Sequence, residues 1–156
     1  MILLELLEPS LVKIGLEAED KEELFEELLN LLVEAKKVKD RRMALEALWE
    51  REDKGSTDIG KGVAIPHAKT NAVDELVAAI GISKDGIDYE SGEDEPIRLV
   101  FMMLATENNP GLHIEALANI ATLAETPGIC RKLHEAETPQ AVLDIIAAEA
   151  RARLNE

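Results

Sequence analysis

A mixed β-sheet flanked by helices on both faces, an α/β/α sandwich, is the fold class that this 156-residue sequence predicts. The order of elements points there: strand, helix, helix, then a series of strands, then helices. The apolar spacing also changes from helical to extended at residue 57. Hydrophobic residues make up 46% and charged residues 31%, the balance of a globular rather than a disordered chain. Aromatics are only 3%, so Leu, Ile, Val, Ala and Met must fill the core. No internal repeat or linker divides the chain, and residues 1–156 read as one domain long enough to bury a real core.

Leu11–Leu16 reads as a short strand. Asp20 followed by Glu23 fits a capping box opening a helix through about Lys36, with Leu24, Phe25, Leu28, Leu29 and Leu32 as its apolar stripe. A second helix starts at Asp40 and packs through Ala44, Leu45, Leu48 and Trp49. Val63–Ile65, Leu76–Ile82 and Ile97–Leu104 are β-like, with Asp85-Gly86 as a turn signal between the last two. Thr106–Gly111, TENNPG, is a loop. Helices follow over about 112–125, 127–136 and 139–153, and Thr126-Pro127 and Thr138-Pro139 have the form of an N-cap with proline at the first helical position.

The formal net charge is −15, from 32 acidic and 17 basic residues. Nucleic-acid binding needs a basic footprint, and here the field has the wrong sign. An acidic surface suits a basic protein partner, or simply keeps the chain soluble. The single cysteine, Cys130, excludes an intramolecular disulfide and argues for a reducing compartment. MILLELLEPS lacks the features of a signal peptide. The longest run free of Asp, Glu, Lys and Arg, Ala116–Ala124, is far short of the roughly 20 residues that span a bilayer. A cytoplasmic protein, not embedded in a membrane, is expected.

The segment GSTDIGKGVAIPHAKT, residues 55–70, carries the chemistry. Pro66 fixes its own φ, lacks an N–H and biases Ile65 towards extended geometry, so ladder pairing should stop there. His67 then lies at the rim of the sheet, where its imidazole can be presented to another molecule. Gly60 and Gly62 permit close backbone approach, and Ser56 and Thr57 offer hydroxyls to an oxyanion. Alternatively His67 is a surface histidine after a turn. His113 lines up at helical spacing with Leu117, Ile120 and Ala124, so it either continues a buried stripe or joins the site near a helix N-terminus. Arg51 is either a solvated arginine paired with Glu50, Glu52 or Asp53, or a planar fork for phosphate oxygens. His134, in KLHEAE, reads as a surface residue. There is no GxxxxGK[ST] loop, no short-spaced His/Cys/carboxylate cluster for a metal, and no GxSxG elbow. Histidine as the covalent carrier itself remains.

On these residues the chain resembles the enzyme IIA domain of the bacterial phosphoenolpyruvate-dependent sugar phosphotransferase system, in its fructose/mannitol/nitrogen-regulatory class. The resemblance covers almost the whole chain. It runs through Arg51 before the Ser-Thr pair, the AIPHA core, GIDYESGEDEPIRLVF, GLHIEALANIATL and ICRKLHEAETPQAVLDII. It implies that His67 is phosphorylated on Nε2, with Nδ1–H bonded to a backbone carbonyl, and that His113 and Arg51 orient or stabilise the phosphoryl group. Ser56, Thr57 and backbone N–H groups are further candidates for its oxygens. It also implies a donor, the histidine-containing phosphocarrier protein, and an acceptor cysteine on an enzyme IIB domain. No metal or other cofactor is implied, because the donor is already a phosphohistidine.

The nitrogen-related branch would signal instead by binding a regulated target protein according to phosphorylation state. The GST and ICRKL segments lean towards that branch, and AIPHAKT and DYESGEDEP towards the fructose class. An interaction module that has lost phosphotransfer is a third possibility, and intact His67, His113 and Arg51 count against it. Asp58 and Lys61 depart in charge from the family's usual residues beside the site, and Ile114 stands where leucine is common.

Overall fold

The computed structural model describes residues 1–92 and 95–154; Glu93 and Asp94, inside the GIDYESGEDEPIRLVF segment, and the last two residues lie outside the described residues. Among the described residues the sheet has six strands: β1 (Val12–Ile14), β2 (Asp58–Gly60), β3 (Val63–Ala64), β4 (His67–Lys69), β5 (Val77–Ile87) and β6 (Ile97–Ala105). The order is β1-β5-β6-β3-β2, with β4 also paired to β6. Pairing is antiparallel for β5/β6 and β2/β3, and parallel for β1/β5, β3/β6 and β4/β6. The sheet is therefore mixed, as predicted.

Its two faces are covered by different helices. On one side lie α2 (Lys21–Glu34) and α3 (Arg41–Asp53); on the other lie α1 (Ile2–Leu6), α4 (Pro110–Glu125), α5 (Ile129–Glu135) and α6 (Pro139–Leu154). The central strands are apolar along residues 77–82 and 99–105, where both faces are buried. Val100, Met102 and Leu104 of β6 face α2 and α3, while Leu99, Phe101 and Met103 face α4.

Helix α2 begins where the cap placed it. Asp20 Oδ1 accepts the Glu23 N–H at 2.9 Å, and Glu23 Oε1 accepts the Glu19 N–H, one residue further out than a standard capping box. Its predicted stripe is fully buried, each large side chain worth about 1.5–3 kcal/mol before ordering entropy is subtracted. Asp40 caps α3 in the same way, through the Met43 N–H, and Trp49 packs on Phe25 with ring centroids 4.7 Å apart. Thr138 caps α6 by accepting the Ala141 N–H.

Two local expectations are corrected. Thr126 closes α4 instead of opening α5: its hydroxyl donates to the Thr122 carbonyl and accepts from Arg153, and α5 starts after Gly128, at φ 83°. Asp85-Gly86 lies inside β5, where it makes a bulge. The register runs from Ile82 opposite Leu99 to Ile87 opposite Ile97, and the Gly86 N–H bonds Ser83 Oγ. The chain reverses only after Ile87. The sequence reading also lacked α1, β2 and β4, which are too short to show a period.

Candidate functional site

Three elements converge on one cleft of about 420 Å³. Strand β4 forms its floor. Pro66 interrupts pairing as expected, but its carbonyl accepts the Met103 N–H at 3.0 Å, and the ladder to β6 resumes at His67, opposite Met103. Met103 faces α4, so its neighbour in register, His67, points to that side as well. From α4 come Pro110, His113, Ile114 and Leu117, and from α3 come Ala47, Glu50, Arg51 and Lys54. Both sets follow i, i+3, i+4, i+7 spacing, a single face of each helix.

His67 is half-buried, and its Nδ1 lies 2.6 Å from the Ile65 carbonyl oxygen. A carbonyl only accepts, so Nδ1 carries the proton and the Nε2 lone pair is left free. Burial lowers the His67 pKa most strongly; the carbonyl bond opposes it, the Arg51 charge lowers it further and the Glu52 charge raises it. The ring is thus a neutral nucleophile near pH 7. His113 meets it edge-on, with centroids 5.3 Å apart and ring planes at 88°. Only 4% of His113 is exposed, and neither ring nitrogen hydrogen-bonds another described residue. Burial first, then the nearby His67 and Lys69, push its pKa down to about 4. A buried imidazole left unsatisfied by the protein is suited to a polar ligand in the cleft.

Arg51 donates from Nη1 to the Gly55 carbonyl at 2.8 Å, which folds the guanidinium over the end of α3 into the cleft wall. It pairs with none of Glu50, Glu52 and Asp53. Lys54 and Lys69 also line the cleft, a concentration of positive charge on an acidic chain. The structure thus brings His67, His113 and Arg51 together.

It does not bring Ser56 and Thr57 with them. Exposed Ser56 accepts the Asp58 N–H and lies outside the cleft lining. Thr57 is buried, and its hydroxyl is committed to Glu52 Oε1 at 2.5 Å and to Tyr89 Oη at 2.6 Å. That geometry corrects the expectation that Thr57 faces phosphate oxygens. Gly62 serves β6 rather than a ligand: its carbonyl accepts the N–H groups of Arg98 and Leu99, and a Cβ there would sit 3.3 Å from the Pro96 oxygen. Asp58 is tied down by Ser91 Oγ at 2.6 Å, and Lys61 stands exposed at the β2–β3 turn with φ 59°. His134 Nε2 lies 3.2 Å from the Lys84 carbonyl, remote from the cleft lining.

Sequence reasoning missed Glu52, which is only 6% exposed. A signal existed: Ala44, Leu48 and Glu52 fall on one helical face, so the carboxylate extends a buried stripe. Tyr89 and Lys21, which complete its surroundings, carried no comparable signal. Among the described residues no three His, Cys, Asp or Glu side chains form a metal-binding group, and no helix is long and apolar enough to cross a membrane.

Similarity to known proteins extends over most of the chain. The fructose-specific EIIABC component of Bacillus subtilis (strain 168) is 44% identical over 146 residues, covering 94% of this chain and 23% of that protein. The fructose-specific EIIA component of Haloferax volcanii is 40% identical over 127 residues, 81% of this chain and 82% of that protein. In structure, the nitrogen regulatory protein IIA-Ntr of Neisseria meningitidis superposes with a TM-score of 0.86 at 29% identity, over 94% of this chain and 99% of that one. Residues 5–149 match the family described as phosphoenolpyruvate-dependent sugar phosphotransferase system, EIIA 2, and to that family this chain belongs.

Proposed function

We propose that this chain is a cytoplasmic phosphocarrier whose His67 Nε2 accepts a phosphoryl group from the histidine-containing phosphocarrier protein and passes it to a cysteine of an enzyme IIB domain during sugar uptake. One observation carries the reading: a neutral histidine with Nδ1–H bonded to a carbonyl lies edge-on to a buried, unpartnered second histidine, beside an arginine. The Nε2 lone pair attacks phosphorus in line as the donor's P–N bond breaks and its electrons return to the donor ring. The imidazolium formed on His67 keeps its Nδ1 proton in the bond to Ile65. His113 N–H and the Arg51 fork stabilise the oxygens of the transferring group, and backbone N–H groups are secondary candidates. No metal or other cofactor takes part.

The higher identity to fructose-specific relatives than to the nitrogen regulatory structure supports the sugar-transport role. The regulatory reading, binding of a target protein by the phosphorylated or free form, uses the same His67 chemistry and is favoured by the TM-score of 0.86. Phosphotransfer to a fructose-class enzyme IIB separates the two. Incubation with phosphoenolpyruvate and the two general phosphotransferase proteins is expected to add one acid-labile phosphate, and His67→Ala to abolish it. Label persisting on that variant would refute the site, and an unlabelled wild-type chain would leave only an interaction module.

A further inference from the structure

Behind the cleft lies a buried carboxylate that none of the chemistry above uses. Glu52 follows Arg51 in α3 but projects about a quarter-turn further round the helix, into the interior. Its Oε1 accepts from the Thr57 hydroxyl at 2.5 Å, and Tyr89 Oη shares its single proton between Thr57 Oγ1 at 2.6 Å and Oε1 at 3.1 Å; Oε2 accepts from the Thr57 N–H at 2.8 Å and from Lys21 Nζ at 3.3 Å. The Lys21 ammonium also lies 4.4 Å from the centre of the Tyr89 ring. Four donors from α2, residue 57 and the segment after β5 therefore meet on one carboxylate.

The consequence reaches the cleft through the backbone. Thr57, held at both N–H and hydroxyl by Glu52, accepts the Ile65 N–H on its carbonyl at 2.9 Å. Ile65 in turn accepts the His67 Nδ1–H at 2.6 Å. Two residues before Thr57, the Gly55 carbonyl receives Arg51. The short connection from Arg51 to Thr57 is thus pinned by one carboxylate, and it sets both the carbonyl that fixes the His67 tautomer and the carbonyl that orients the guanidinium.

We propose that Glu52 is a positioning residue for phosphotransfer, holding Thr57 so that Ile65 keeps Nε2 of His67 unprotonated and Arg51 stays turned into the cleft. The proposal rests on His67 being the phosphoryl carrier. The charge of Glu52 acts separately from this positioning: it raises the His67 pKa against the depression from burial and Arg51, which makes Nε2 a stronger base and nucleophile while Ile65 fixes the tautomer. The charged or titratable groups facing His67 are Arg51, Lys54 and Glu50 from α3, Lys69 from β4 and His113 from α4; Lys21 and Tyr89 face Glu52 itself.

The test is nitrogen-15 NMR of the histidine rings together with the rate of phosphorylation, in wild type, Glu52→Gln and Glu52→Met. Glu52→Gln keeps volume and can leave its oxygen towards the Thr57 N–H and Lys21, because the two hydroxyls on the other side can turn to accept from its amide. It should fold, lower the His67 pKa and slow phosphorylation. Glu52→Met leaves the Thr57 N–H without its acceptor, and should mix the two His67 tautomers and slow transfer by about 10- to 100-fold, the scale of a small misplacement of reacting groups. A purely structural glutamate would alter stability without moving the ring signals. Folded variants with wild-type tautomer, pKa and rate overturn the proposal. If neither folds, Tyr89→Phe decides by the same readouts, since it removes one donor and keeps the ring. A wild-type chain that takes no phosphate refutes the carrier reading instead, whereas a labelled wild type with an indifferent Glu52→Gln refutes only the role of Glu52.

Discussion

Burial of His113 against His67 ties stability to protonation. Its folded pKa, about 4, lies below the ordinary value of 6.5, so the unfolded chain binds the proton more readily. The contribution is complete above about pH 6.5 and disappears as pH falls towards 4, with about 3 kcal/mol as an upper bound. His113→Gln should flatten that part of the stability curve, measured by denaturant unfolding between pH 7 and 4, and also slow onward phosphotransfer. An unchanged slope would mean that the imidazole is not held neutral by burial. At this scale the convergence of His67, His113 and Arg51 on one cleft was legible through the family resemblance, whereas backbone geometry and helical spacing left each of them a second reading. Thr57 was misread because the destination of a hydroxyl depends on Glu52 and Tyr89, from α3 and from beyond β5, which no local pattern brings together.

Helices α2, α3 and α6 begin at the caps that their sequences announce, since a cap is a local bargain between a side chain and the next turn. Strands β2, β3 and β4 are a different case. At two or three residues each they carry no readable period, although the sequence over 63–65 reads as extended; β3 and β4 depend on β6 lying beside them, and β2 on β3. Asp85-Gly86 misled for the same reason: glycine at φ 91° serves a bulge as readily as a turn, and only the partner strand decides. Gly62, at φ 75° with β6 backbone at close range, gives a test of how rigidly this set of short strands holds the cleft. Gly62→Ala should cost about 1–3 kcal/mol of stability, read by chemical denaturation, while His67 still takes phosphate in the surviving folded fraction. A neutral result would mean that the β2–β3 turn is free to relax.

Across the whole molecule, a net charge of −15 surrounds a cleft lined by Arg51, Lys54 and Lys69. In the proposed phosphocarrier role the outer field would favour approach of a basic donor, and the inner cations the anionic group to be transferred. The rate of phosphorylation should therefore fall by about tenfold or more as salt is raised well above physiological strength. A salt-independent rate would reduce the charge to a solubility device. The layered architecture was legible because apolar spacing separates the helices from the long strands β5 and β6. What the sequence could not disclose was which helix covers which face.

That partition has an outcome for breakdown as well as for chemistry. Arg51 is delivered from the layer above the sheet and His113 from the layer below, with His67 on the strand between them. The cradle exists only while both layers are docked, so under the proposed function loss of either one would silence phosphotransfer before the chain as a whole has come apart.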